Sequence, residues 1–110
     1  MRGNAFRVLA GMVLAVLIML GGGCSSPEDK KQAFMDKGDQ LFAQEDYIKA
    51  RLEYKNAAQI DPEFAPAYYR LGRTELALKN FQLAYGMLSK AVELDPGNAD
   101  ARVDLGRLLL

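Results

Sequence analysis

Residues Lys31–Phe64 and Ala65–Asn98 are two versions of one 34-residue unit. Displaced by that period, Gly38 falls on Gly72, Tyr47 on Phe81, Ala50 on Ala84, Tyr54 on Leu88 and Ala57 on Ala91. The closing Ile60-Asp61-Pro62 falls on Leu94-Asp95-Pro96. A third copy opens at Ala99 and carries Gly106 in the same register before the sequence stops at Leu110. A repeat of this length constrains the architecture before any single residue does. Each unit is one supersecondary element that buries its apolar face only against its neighbours, so the units stack. A generic antiparallel bundle has no reason to return glycine, alanine and proline at one fixed interval.

Within the first unit, Phe34, Gly38, Leu41 and Phe42 fall at helical spacing on one side, which predicts a helix from Lys31 to Ala43. Gln44-Glu45-Asp46 interrupts that face, and Asp46 is suited to cap the next helix through its carboxylate. Tyr47, Ala50, Tyr54, Ala57 and Ala58 then recur at intervals of three and four, until Pro62 disfavours helix in the residue before it. The expectation is helix, three-residue turn, helix, then a loop at the proline. In the second unit Asn80 takes the capping place of Asp46. Glycine inside a helix costs about 1 kcal/mol against alanine. Its return at Gly38, Gly72 and Gly106 therefore points to a packing purpose: with no side chain there, and only a methyl at Ala50 and Ala84, two helices can approach closely.

This pattern resembles the tetratricopeptide repeat. The first copy matches the family's signature positions with Phe34, Gly38, Leu41, Ala50, Tyr54, Ala57 and Pro62, and departs with Lys37 in place of a leucine. A polar residue there suits a terminal repeat. The second copy matches with Tyr68, Leu71, Gly72, Ala84, Leu88, Ala91 and Pro96, and departs with Glu75 where an aromatic or leucine is usual. The third has Arg102, Leu105 and Gly106. The resemblance implies an all-α, TPR-like α-solenoid of antiparallel helix pairs, about two and a half repeats long: repeats at 31–64 and 65–98, and the first helix of a third at 99–110. Leu108-Leu109-Leu110 would be exposed without a following helix, so the chain reads as part of a longer array. A lone C-terminal cap helix is the other reading.

The family's first helices line a concave groove. Carried onto this chain, the groove positions are Gln32, Met35, Asp39, Phe42 and Ala43, then Pro66, Tyr69, Arg73, Leu76 and Ala77, then Asp100, Val103, Arg107 and Leu110. Met35, Phe42, Tyr69 and Leu76 would take an apolar side chain of a protein or peptide, and Arg73 and Arg107 would meet a carboxylate. Several of these residues would equally serve to pack between helices. The clamp with which some members grip a C-terminal carboxylate is not implied, since Met35 and Asp39 stand where it needs lysine and asparagine.

Composition narrows the chemistry. The chain has 14 basic and 14 acidic residues, no histidine and one cysteine. That balance offers no concentrated basic surface for nucleic acid. A structural zinc site needs about four Cys or His ligands, and Ser-His and Cys-His catalytic pairs need a histidine. Neither metal nor cofactor is expected. Asp61 and Asp95 read as loop residues before prolines rather than as an acid pair for glycoside hydrolysis. No enzyme signature is found.

The segment before the repeats carries a different signal. Arg2 and Arg7 precede an uncharged run, Val8–Leu20, followed by Gly21-Gly22-Gly23-Cys24-Ser25-Ser26-Pro27. Basic start, apolar centre and small-residue exit make a secretory signal, and the apolar run is short of the roughly 20 residues that span a bilayer. Cys24, directly after small residues, resembles the acylated cysteine of a bacterial lipoprotein signal. Gly23 and Cys24 match that lipobox, and Gly21 departs from it where an aliphatic residue is usual. The implied organisation is a signal helix at 1–23, then an acylated Cys24 and tether at 24–30. Without residues 1–23 the chain has 12 bases and 14 acids. Several acyl chains on one residue anchor stably where a single chain does not. Ser25 after the cysteine implies the outer membrane, facing the periplasm. The alternative is an inner-membrane protein held by an uncleaved Val8–Leu20 helix.

Together these resemblances imply a lipid-anchored periplasmic scaffold that binds protein partners. The phrases Lys49–Ala57 and Ala101–Leu108 are similar to repeat lipoproteins that accompany exosortase and exopolysaccharide systems, which implies a role in polysaccharide export or protein sorting. Barrel assembly and pilus assembly are rival roles of the same design. A docking arm of a larger envelope enzyme is a second class.

Overall fold

The computed structural model describes residues 26–110. The signal helix expected at 1–23 and Cys24 lie outside the described residues. Five helices follow one another: α1 (Pro27–Ala43), α2 (Tyr47–Ile60), α3 (Ala65–Ala77), α4 (Phe81–Leu94) and α5 (Ala99–Leu108). Each packs most closely on its chain neighbour, α1 on α2 and α3 on α4, with α2 against α3 and α4 against α5 joining the pairs. The fold is an all-α solenoid of helix pairs. Among the described residues no helix is long and apolar enough to cross a membrane.

Local chemistry accounts for the boundaries. The Ser26 hydroxyl accepts from the Asp29 N–H at 3.2 Å, Pro27 occupies the first turn, and Glu28 and Asp29 sit at the positive end of the helix. Pro27–Lys30, expected within the tether, therefore form the first turn of α1. Asp46 caps α2 as expected, accepting from the Lys49 N–H at 3.3 Å. Asn80 does not do the same for α4: its side chain donates to Glu75 instead.

The two short turns are built alike. Glu45 and Lys79, 34 positions apart, both adopt a left-handed backbone, with φ of 61° and 62°. In the first turn the Asp46 N–H reaches the Leu41 carbonyl and the Glu45 N–H the Phe42 carbonyl. In the second the Asn80 N–H reaches Glu75 and the Lys79 N–H Leu76. This is a Schellman closure, formed here with non-glycine residues in the left-handed position. No glycine marked it, so its conformation was not readable from the sequence.

The recurrent glycines lie where the helices touch. A Cβ on Gly38 would stand 2.5 Å from Tyr54 Cε1, and one on Gly72 would stand 2.6 Å from Leu88 Cγ. Tyr54 and Leu88 are almost wholly enclosed, as are Ala50, Ala57, Ala84 and Ala91. The expected packing role holds at both positions. At Gly106 a Cβ would meet nothing within 4 Å.

Two ionic ties bind the helices further. At the first junction, Arg51 of α2 grips Glu75 of α3 with both arms, Nε to Oε1 at 2.6 Å and Nη2 to Oε2 at 2.9 Å, and Asn80 Nδ2 adds a third bond at 2.9 Å. This explains why an acid occupies a position that is usually aromatic or leucine. Burial on its own raises the pKa of Glu75, but the hydrogen bonds from Arg51 and Asn80 and the Arg51 charge outweigh it, so the carboxyl is held below its ordinary value. At the start of α1, Lys31 is buried, with Nζ 2.9 Å from Asp61 Oδ2, 3.0 Å from Glu28 Oε1 and 4.0 Å from the centre of the Phe64 ring. The Asp61 hydrogen bond, with that of Glu28, raises the pKa of Lys31. In turn the Lys31 bond, with the Glu63 N–H, lowers that of Asp61. Asp61 and Asp95 also turn their loops, accepting from the N–H two residues on. That is the loop role expected of them.

Two measurements test this packing. Gly72→Leu should lower the thermal midpoint by the equivalent of about 3 kcal/mol through overpacking against Leu88. Gly97→Ala should be neutral, and Gly106→Ala should gain up to about 1 kcal/mol from helix propensity; equal losses at all three would remove the close-contact account. For the ionic tie, Arg51→Ala should cost about 3 kcal/mol by leaving Glu75 buried and unpaired, and Arg51→Met with Glu75→Leu should recover most of it. A carboxyl with a depressed folded pKa stabilises above its unfolded value, about pH 4.3, and that gain disappears as pH falls through the folded value. Melting curves taken downward from pH 6 should therefore fall less steeply in the doubly substituted protein than in the wild type.

Candidate functional site

The first helices of the pairs, α1 and α3, leave a cleft between them whose floor belongs to α2. It measures about 220 Å³ and is lined by Asp39, Phe42 and Ala43 of α1, Tyr54 of α2, and Arg70 and Arg73 of α3. Asp39, Phe42 and Arg73, three residues expected on the groove, meet here.

Asp39 is the hub of the polar part. Its Oδ1 accepts from the Tyr54 hydroxyl at 2.7 Å and pairs with Arg70 Nε at 2.8 Å. One carboxylate thus ties three helices together and is consumed in doing so. Burial raises the Tyr54 hydroxyl pKa well above that of a free phenol, and the Asp39 hydrogen bond adds to this, so Tyr54 stays a neutral donor. Phe42 and Tyr47 stack edge to face with centroids 5.1 Å apart, which fixes the ring that faces the cleft. Arg73, exposed on α3, lays its guanidinium carbon 5.0 Å from the Phe42 centroid and 5.8 Å from that of Tyr69. Tyr69 is half-buried. Burial raises the pKa of its hydroxyl, Arg73 opposes this, and Asp104 and Asp100 of α5 reinforce it.

The remaining groove positions divide. Gln32, Ala43, Pro66, Ala77, Asp100, Val103, Arg107 and Leu110 are exposed, as the groove assignment requires. Leu76 is half-buried, one turn beyond Arg73 on α3, and does not line the cleft. Met35 has to be corrected: it is 1 % exposed and belongs to the core cluster with Ala50, Tyr54, Ala57, Ala67 and Leu71. The inner side of α1 runs through Lys31, Met35 and Gly38, so Met35 packs between helices and offers no surface to a partner. Two lining residues were missed from the sequence. Tyr54 was assigned to packing alone, although its hydroxyl had to find a partner when the ring was buried. Arg70 precedes Arg73 by three residues and so lies on the same helix face, a spacing that could have placed it beside the cleft.

Residues 38–76 match the family model "TPR repeat", and residues 65–98 match "Tetratricopeptide repeat". The chain carries tetratricopeptide repeats. The TPR domain of Arabidopsis OM64 superposes with a TM-score of 0.72 at 23 % identity, covering 76 % of this chain and 69 % of that one, which shows a shared fold. Among curated proteins, human tetratricopeptide repeat protein 12 is 28 % identical over 74 residues, 67 % of this chain and 10 % of that protein. The Giardia intestinalis UDP-N-acetylglucosamine–peptide N-acetylglucosaminyltransferase is 36 % identical over 70 residues, 64 % of this chain and 5 % of that enzyme. The chain thus spans a tenth or less of the curated relatives it matches.

The role of Asp39 can be measured through its floor residue. Tyr54→Phe keeps the ring against Gly38 and removes one bond to a carboxylate, so it should cost about 1–2 kcal/mol in denaturant unfolding. Tyr54→Ala should cost about 3–5 kcal/mol by emptying the packing site. The two losses being equal would mean that the ring contributes little and the contact at Gly38 is not the organising one.

Proposed function

We propose that this protein is a lipid-anchored periplasmic scaffold whose TPR groove binds segments of partner proteins. The observation that carries the reading is the exposed stack of Phe42, Arg73 and Tyr69 on the face formed by the first helices. The two rings are half-buried and the guanidinium is exposed. Aromatic and arginine side chains presented together are what protein interfaces use as anchors. The stacking of repeats into an extended surface suits a binding role.

The anchor rests on the residues before the repeats. The basic start, the apolar Val8–Leu20 and the small residues before Cys24 support export and acylation. Ser26 caps α1 two residues after Cys24, so an acylated Cys24 would hold the first repeat close to the membrane. In this reading the protein serves envelope assembly, in exopolysaccharide export or exosortase-linked sorting. A second reading, a docking arm of a larger envelope enzyme, draws on the transferase relative, of which this chain matches a small part.

One experiment addresses anchor and groove together. A photocrosslinking residue replaces Phe42 in the full chain, in the wild-type background and with Cys24→Ala, and bacterial membranes are then fractionated. The expected outcome is outer-membrane attachment that is lost with Cys24→Ala, and discrete protein adducts at position 42 that are missing from a probe at Ile48, an exposed outer position. Unchanged attachment and mass in the Cys24→Ala protein would replace the lipid anchor by an uncleaved helix. Adducts at neither position would remove the scaffold.

A further inference from the structure

We propose that the α1–α3 cleft is a subsite for one isolated acidic side chain of the bound segment, recognised by Arg73. This rests on the reading that the groove binds protein, and it assigns the chemistry of one position within it.

Three charged groups line the cleft: Asp39, Arg70 and Arg73. Asp39 and Arg70 neutralise each other at 2.8 Å, and the Tyr54 hydroxyl takes the same carboxylate oxygen. Arg73 has no carboxylate partner among the described residues. Its guanidinium is held instead against the rings of Phe42 and Tyr69. A cation held over aromatic rings spends none of its N–H donors on a hydrogen bond to them, so they remain for a planar acceptor. The cleft therefore carries one net positive charge on a group already placed by its neighbours. A carboxylate meets that fork with two parallel charge-assisted bonds, and placement before binding lowers the entropic cost of forming them.

The surroundings narrow the ligand further. The single net positive charge balances one carboxylate and would leave a doubly charged phosphate half neutralised. Asp100 and Asp104 of α5 add their negative charge to the surroundings of Tyr69, where with its burial they favour the neutral hydroxyl. A run of acids passing along the groove would be repelled there. The arrangement suits one Glu or Asp within a segment that runs on in both directions.

The test uses the full chain in detergent and pools of short fluorescent peptides with one fixed central residue: Glu, Gln, Lys or phosphoserine. Each pool is made with amidated and with free carboxyl ends, and binding is read by anisotropy. The expected result is that the amidated Glu pool binds about tenfold or more tighter than the Gln pool. Arg73→Gln should abolish that preference, so that the Glu and Gln pools bind alike, with the melting temperature unchanged. Arg73→Glu should transfer the preference to the Lys pool. Equal binding of the Glu and Gln pools to the wild type overturns the subsite and leaves the groove standing. A preference for phosphoserine, or a requirement for a free carboxyl end, overturns it in favour of those ligands. Binding of no pool at all removes both the subsite and the groove reading.

Discussion

The contact between a glycine on the first helix of each pair and a large side chain on the second sets everything else in place. Tyr54 fills the gap beside Gly38, and Leu88 fills the gap beside Gly72. Because the filler is enclosed and the opposing residue has no side chain, the helices of a pair have little freedom to rotate or slide without opening a cavity or a clash. Fixing the rotation of α1 and α3 fixes which residues they turn outward. The face that includes Asp39, Phe42, Tyr69 and Arg73 is therefore set by packing on the opposite side of the same helices.

The two repeats differ in the filler and in the groove residue beside the glycine, and together these differences account for the charge of the cleft. Asp39 and Arg73 are equivalent positions, each one residue after its glycine; Tyr54 and Leu88 are equivalent fillers. In the first repeat the filler has a hydroxyl, which reaches Asp39 and holds it. In the second the groove residue is a cation and the filler is aliphatic, with no oxygen to accept from it, and Arg73 lies over the rings of Phe42 and Tyr69. One repeat thus binds its groove charge internally and the next leaves its charge available. The same asymmetry appears at the junctions between repeats. Arg51 and Glu75 form the ionic tie at the first, whereas the residues a period later are Tyr85 and Leu109.

The fold was largely legible in the sequence because it depends on residue types that recur. Gly38, Gly72, Ala50, Ala84, Pro62 and Pro96 each do the same thing twice, and a period exposes them. What repeats in geometry without repeating in chemistry was harder to see. The left-handed Glu45 and Lys79 share a conformation but no residue type, and Asp46 and Asn80 share a position but not a bond. The cleft was legible in part. Asp39, Phe42 and Arg73 follow from their place on the first helices, but Met35 shows the limit of that reasoning. A helix face is broad, and whether a residue at its edge looks inward depends on how far the partner helix wraps around it. Here Met35 sits one turn before Gly38 and one turn after Lys31 on the buried stripe, so the same close approach that opens the cleft at Asp39 shuts it at Met35.

Net charge conceals what the arrangement of charges does. The sequence is formally neutral, which by itself favours no partner. Yet several acids are spent on structure: Asp61 on Lys31, Glu75 on Arg51, Glu53 on Lys37, and Asp39 on Tyr54 and Arg70. Each joins residues from different elements, and each fixes a carboxylate that would otherwise face solvent or a ligand. Arg73 is the charge in the cleft that this process leaves over. Its aromatic support costs it no donors, whereas a carboxylate partner within the chain would have occupied them. A binding charge in such a solenoid is thus made by withholding a carboxylate partner at one position of the repeat while supplying partners to the charge at the equivalent position of its neighbour.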